Sequence, residues 1–105
     1  MKLTTDELKR VKSIIEIDEK NKIVIIDEYK VHENGPKKNY NVYKINEYFE
    51  ILWQIAPSIP PRFEYETFSF FGEATDGELT VQTFGGDEFL LNIDTGEARF
   101  LEWHK

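Results

Sequence analysis

The chain contains no cysteine, which excludes a disulfide framework and any thiolate metal cage. It also lacks an apolar run approaching the roughly 20 residues that a bilayer-spanning helix needs. The amino terminus, Met1-Lys-Leu-Thr-Thr-Asp6, has no apolar centre of the kind a secretory signal requires. A cytoplasmic location is therefore the expectation. Histidine is scarce: His32 and His104 stand far apart, with no HExxH or comparable spacing, so no metal ligation is expected of them. Nucleophile elbow, Walker loop and dinucleotide fingerprint are all missing. Ser13, Ser58 and Ser69 have no neighbouring base to activate them. The expectation is a protein with no catalytic residue, no metal and no cofactor.

Basic residues are scarce in one half only. Through Lys44 there are ten Lys/Arg against eight Asp/Glu, a balance of +2; from Ile45 onward there are three, Arg62, Arg99 and Lys105, against twelve acids, a balance of −9. The two halves sum to the net charge of −7. An acidic half repels phosphate backbones and anionic lipid, so neither nucleic acid nor a membrane surface is an expected partner. A cationic protein is. The competing explanation is that acids merely keep an exposed sheet face soluble.

What is present is a globular composition. Of 105 residues, 40% are apolar and 14% aromatic, enough for one core and a single domain over 1–105. Three stretches run apolar, break at Ile-Asp or Ile-Asn, and resume: Ser13–Asp18 into Ile23–Ile26, Asn41–Asn46 into Glu50–Trp53, and Phe89–Asp94 into Glu97–Trp103. Short Asp/Asn/Gly breaks between apolar strands spell antiparallel hairpins. The predicted fold is mainly β, a small sandwich or open meander, with one short helix near 5–12 or 47–56.

Local chemistry refines this. Thr4-Thr-Asp-Glu7 is a capping box for a turn or two of helix, giving way to strand near Val11. The break at Asp18–Lys22 suits a turn closed by Asn21 in the left-handed region. Ile23–Ile26 is apolar throughout, as in a strand covered on both faces. Residues 30–39, centred on Asn34-Gly-Pro36, form a surface loop. Ile45, Tyr48, Phe49, Leu52, Ile55 and Ala56 fall at helical spacing behind Asn46, a permissible N-cap, so a helix over 47–56 competes with the preferred strand. Pro57-Ser-Ile-Pro-Pro61 suits an extended connector and excludes a central strand. Phe63 and Tyr65 alternate with Glu64 and Glu66 before the phase shifts to Phe68 and Phe70, which predicts a bulge. Gly72–Gly77, Gly85-Gly86 and Thr95-Gly96 are assigned to turns.

Residues 78–103, with a strand, Gly85-Gly86, a strand ending at Asp94, then Thr95-Gly96 and a strand ending at Trp103, resemble a blade of the quinoprotein-type β-propellers. Asn41–Trp53 looks like a degenerate copy with Asn46 in place of the Asp. A closed propeller needs at least four blades of about 40 residues. The resemblance therefore implies hairpin geometry, without a cofactor or an activity. Gly85-Gly-Asp-Glu-Phe89 is similar to the signature of diguanylate cyclases, which would imply nucleotide and magnesium binding. Only about 16 residues follow it here, without that fold's βα crossovers. A Gly-Gly turn before an acidic, half-buried strand spells the same five letters.

Carboxylate pairs such as Glu64/Glu66, Asp87/Glu88 and Asp94/Glu97 are plentiful. Residues i and i+2 of a strand share a face, which makes an acidic stripe more naturally than a catalytic pair. The aromatics, Phe84 among them, are expected mostly to fill the core. Phe68, Phe70 and Phe71 cannot all face inward from one regular strand, so one of them is expected at an apolar patch rimmed by acids. The candidate binding residues are Glu64, Glu66, Asp87 and Glu88 for charge, and Phe68 or Phe70 as anchor. The expected function is non-enzymatic protein binding in the manner of an immunity or inhibitor protein that blocks a basic toxin or nuclease. A homo-oligomerising β-module is the alternative, and a small enzyme or nucleotide-binding protein the third.

Overall fold

The capping box at the amino terminus forms as spelled. The Thr4 hydroxyl accepts from the Glu7 amide at 3.1 Å, and the Glu7 carboxylate accepts from the Thr4 amide at 2.9 Å. They open α1 (Thr5–Lys9), a single turn that yields to β-branched residues from Val11. The computed structural model describes residues 1–27, 40–59, 67–73 and 78–103; the predicted loop at 30–39 lies outside them.

Two sheets follow. The first contains β1 (Val11–Glu16), β2 (Lys22–Ile26), β3 (Val42–Ile45) and β4 (Ile51–Gln54), antiparallel in the order β1-β2-β3-β4. The second contains β5 (Ala56–Pro57), β6 (Phe68–Glu73), β7 (Leu79–Thr83), β8 (Asp87–Leu91) and β9 (Glu97–Trp103), in the order β5-β9-β8-β7-β6. Only β5 runs parallel to its neighbour, β9. All three predicted hairpins are present, and the fold is mainly β. The 47–56 segment takes the strand alternative, as β4 and β5. Pro57 ends a two-residue edge strand, where its missing amide hydrogen costs no central ladder bond.

The main core lies between the sheets. Ile23, Ile25, Val42 and Ile55 from the first side meet Phe68, Val81, Phe89, Leu91 and Ala98 from the second. Phe89 sits edge-on to both Phe68 and Phe100, each at 5.6 Å between ring centres, the geometry aromatic quadrupoles favour. A second cluster covers the opposite side of the first sheet: Leu3, Val24, Ile26 and Ile45, with Leu8 and Val11 packed on it. Strand β2 is thus apolar at every position from Ile23 to Ile26 because its alternate side chains enter different cores.

Polar clamps hold the sheets in register. Asn41 is fully buried. Its side-chain amide donates to the carbonyls of Ile26 at 2.7 Å and Phe68 at 2.9 Å, and its Oδ1 accepts from the Phe68 amide at 2.9 Å. The side chain therefore pairs with Phe68 as a neighbouring strand would. At another point the Trp53 indole and the Lys44 ammonium both donate to the Ile93 carbonyl, at 3.0 and 3.1 Å.

Two local expectations need correction. Asn21 is not left-handed; Phe49 is the only non-glycine with positive φ among the described residues. The Asp18 carboxylate itself closes that turn, accepting from the Lys20 and Asn21 amides and the Asn21 side chain. The Asn21 side-chain hydrogen bond, then the one from the Lys20 amide, hold the Asp18 carboxyl below its ordinary pKa. Gly72 lies inside β6 rather than in a turn, and a Cβ there would stand 2.6 Å from the Thr80 hydroxyl.

The β3–β4 turn explains why helix and hairpin compete at Asn46. Its Oδ1 accepts from the Tyr48 and Glu50 amides, the same chemistry an N-cap supplies. The turn forces Phe49 to φ 64°, which costs an L-residue roughly 1–2 kcal/mol. Truncating a buried Phe normally loses about 3–5 kcal/mol. Here Phe49→Gly should change unfolding free energy by less than about 1 kcal/mol, because relief of that strain offsets the lost contact with Lys22. A urea titration checks it; a loss above about 2 kcal/mol would show that the backbone is unstrained.

Candidate binding face

Hairpin register decides which acids and aromatics share a surface. Phe70 pairs with Gln82, Gln82 with Glu88, and Glu88 with Glu102. Their neighbours Phe71, Val81 and Phe89 face the core, so alternation turns this cross-strand row to the outer side of the sheet, with Gln82 and Glu88 half-buried between its exposed ends. Four strands at ordinary spacing make the row about 14 Å long. Phe70 is 53% exposed at one end, and Glu102 is exposed at the other. Like charges directly opposite on a sheet repel, although Glu88 and Glu102 each make further interactions. Phe84 stands in the β7–β8 turn two residues beyond Gln82, 80% exposed.

The candidates from sequence therefore separate. Phe70 and Glu88 belong to the face. Phe68 does not: it is fully buried against Phe89, because a bulge between Phe68 and Phe70 resets the alternation. Asp87 is also withdrawn, 3% exposed, with its amide bound to the Thr83 hydroxyl at 3.0 Å. Glu64 and Glu66 lie outside the described residues. Phe84, expected in the core, is at the surface.

Glu102 was missed. The alternation Phe100-Leu-Glu-Trp103 was available, but a register shift between Glu88 and Phe89 breaks the simple count across to β9.

Charge divides between the sheets much as it divides along the chain. The strands of the first sheet carry Lys12, Lys22 and Lys44 against Glu16. Those of the second carry Glu73, Asp87, Glu88, Glu97 and Glu102 against Arg99. Gly85-Gly86 forms the β7–β8 turn, with Gly86 at φ 106°, so these glycines serve backbone geometry. Among the described residues no group of three or more His, Asp or Glu could hold a metal ion. No helix there is long and apolar enough to cross a membrane.

Fold and face define a two-sheet β protein with an acidic, aromatic-bearing outer surface. Comparison of the chain with protein-family models, with curated proteins and with solved structures gave no match.

Proposed function

We propose that this protein binds a cationic protein through the solvent side of its second sheet and performs no catalysis. An inhibitor or immunity protein that plugs the basic cleft of a toxin or nuclease is the most concrete form of this reading. The observation that carries it is the row Phe70–Gln82–Glu88–Glu102: an exposed ring at one end, carboxylates at the other, on the acid-rich sheet. Carboxylates there take the place of substrate phosphates and steer a basic partner. The ring supplies the desolvated anchor that gives such interfaces much of their affinity.

Self-association is the second reading, favoured by Ile14, 54% exposed on the edge strand β1. Salt separates the two, since the Debye length falls from about 10 Å at 0.1 M to about 3 Å at 1 M. Immobilised protein should retain basic proteins from native lysate at the lower salt and release them at the higher. A variant carrying Phe70→Ser, Glu88→Gln and Glu102→Gln should retain fewer than about a tenth as many, as expected when an anchor and two carboxylates are lost. Equal capture by the variant, or a dimer indifferent to salt, would defeat the proposal.

A further inference from the structure

A cleft of about 620 Å³ opens between the end of β1 and the inner side of the second sheet. Its volume falls within the range of small-molecule sites. Ile15 and Ile17 form one wall, and Phe71, Leu79, Leu91 and Ile93 the other. Leu91 belongs to the main core and Ile17, Phe71, Leu79 and Ile93 pack against it, so the cleft is a gap at the sandwich mouth that the core does not close. Glu73 and Glu78 complete the lining at the end of the β6–β7 pair where Glu73 faces Leu79. Both are exposed. Neither carboxylate makes an ion pair or a side-chain hydrogen bond among the described residues.

We propose that this cleft binds a small amphipathic ammonium ion: an alkyl or aryl body seated on the isoleucines and Phe71, with its amine between Glu73 and Glu78. Each half of the site selects against the other ligand types. Apolar walls of this kind hold water poorly and reward displacement by hydrocarbon. A neutral apolar guest would bring nothing to the carboxylates it partly desolvates. An anionic amphiphile would meet two like charges and the field of a chain with net charge −7. Only a cation with an apolar body satisfies walls and rim together. The site is independent of the protein-binding face: Phe71 and Phe70 are on opposite sides of β6, so either proposal can fail alone.

The test uses n-octylammonium chloride, n-octanoate and 1-octanol as probes, titrated into the full chain and followed by backbone amide NMR. Octylammonium should bind saturably, shifting amides of Ile15, Phe71, Leu79 and Leu91, with octanoate weaker by roughly tenfold. The double variant Glu73→Gln, Glu78→Gln changes only exposed side chains and should keep its fold. It should lose most of the preference for octylammonium while binding 1-octanol within about twofold of the parent chain. Equal affinity of the parent chain for octylammonium and octanoate would overturn the proposal. So would unsaturable shifts, shifts confined to the Phe70–Phe84 side, or a dimer that shields the cleft from all three probes.

Discussion

Asn41→Leu should lower the unfolding free energy by about 4 kcal/mol, from three buried groups each costing about 1–3 kcal/mol when left unpaired. The Phe68 amide, the Phe68 carbonyl and the Ile26 carbonyl all meet the Asn41 side chain, and no leucine atom replaces it. The substituted chain would also lose the one described side chain that pairs with backbone from both sheets at this point. Asn41→Asp should cost a comparable amount by another route, since a carboxylate accepts from the Phe68 amide but faces two carbonyls without a donor. A domain of this size has only about 5–15 kcal/mol to lose. Both variants should therefore unfold at markedly lower urea, measured by circular dichroism and tryptophan fluorescence together. Losses below about 1 kcal/mol for both would mean that water replaces the amide and that the clamp is incidental.

The same residue shows where sequence reading stops. At the head of an apolar strand, an asparagine looks like turn punctuation. Its structural partner Phe68 is 27 residues away, and nothing local announces the pairing. The hairpins were legible because their signals are local: Asp18 closes one turn, Asn46 another, and Gly96 a third. Where the same chemistry serves two structures, legibility fails. An asparagine whose side-chain oxygen accepts the amide two residues ahead can begin a helix or close a hairpin, and the pairing of Tyr43 with Gln54 and Lys44 with Trp53 decides it. Gly72 failed differently: as a glycine in a Gly-rich stretch it suggested a turn, whereas its role is to let Thr80 approach across a ladder.

For the binding face, residue types were legible and their orientation was not. The bulge predicted between Tyr65 and Phe68 falls on a stretch that reaches outside the described residues, and a bulge that the sequence did not announce lies between Phe68 and Phe70. That one extra residue decides that Phe70 meets solvent and Phe68 fills the core. Asp87 followed the opposite course, because a short hairpin buries its first strand residue beneath Thr83. Charge segregation was visible along the chain and survives in three dimensions, since consecutive hairpins stay within one sheet. Lys12, Lys22 and Lys44 consequently fall on one sheet and Glu73, Glu88, Glu97 and Glu102 on the other.

Gly96→Ala should be the most damaging glycine-to-alanine change among the described residues, and its cost should depend on Trp53. Gly96 has φ 83°, and a Cβ there would stand 2.7 Å from two atoms of the Trp53 ring. The backbone term alone costs an L-residue about 1–2 kcal/mol. The ring cannot retreat freely, because its indole nitrogen is tied to the Ile93 carbonyl, which Lys44 also holds. Displacing it adds an overpacking cost of about 1–3 kcal/mol. A double-mutant cycle separates the two causes. With Trp53→Ala in place the methyl has room, so Gly96→Ala should then cost only the backbone term. The two substitutions should be coupled by about 1–3 kcal/mol. Strict additivity would mean that the glycine is required for its backbone alone and that the close approach of the ring is accommodated without strain. Coupling of the expected sign would show that the β8–β9 turn and β4 form one unit, in which a glycine chosen for a left-handed turn also seats the tryptophan that joins the two sheets.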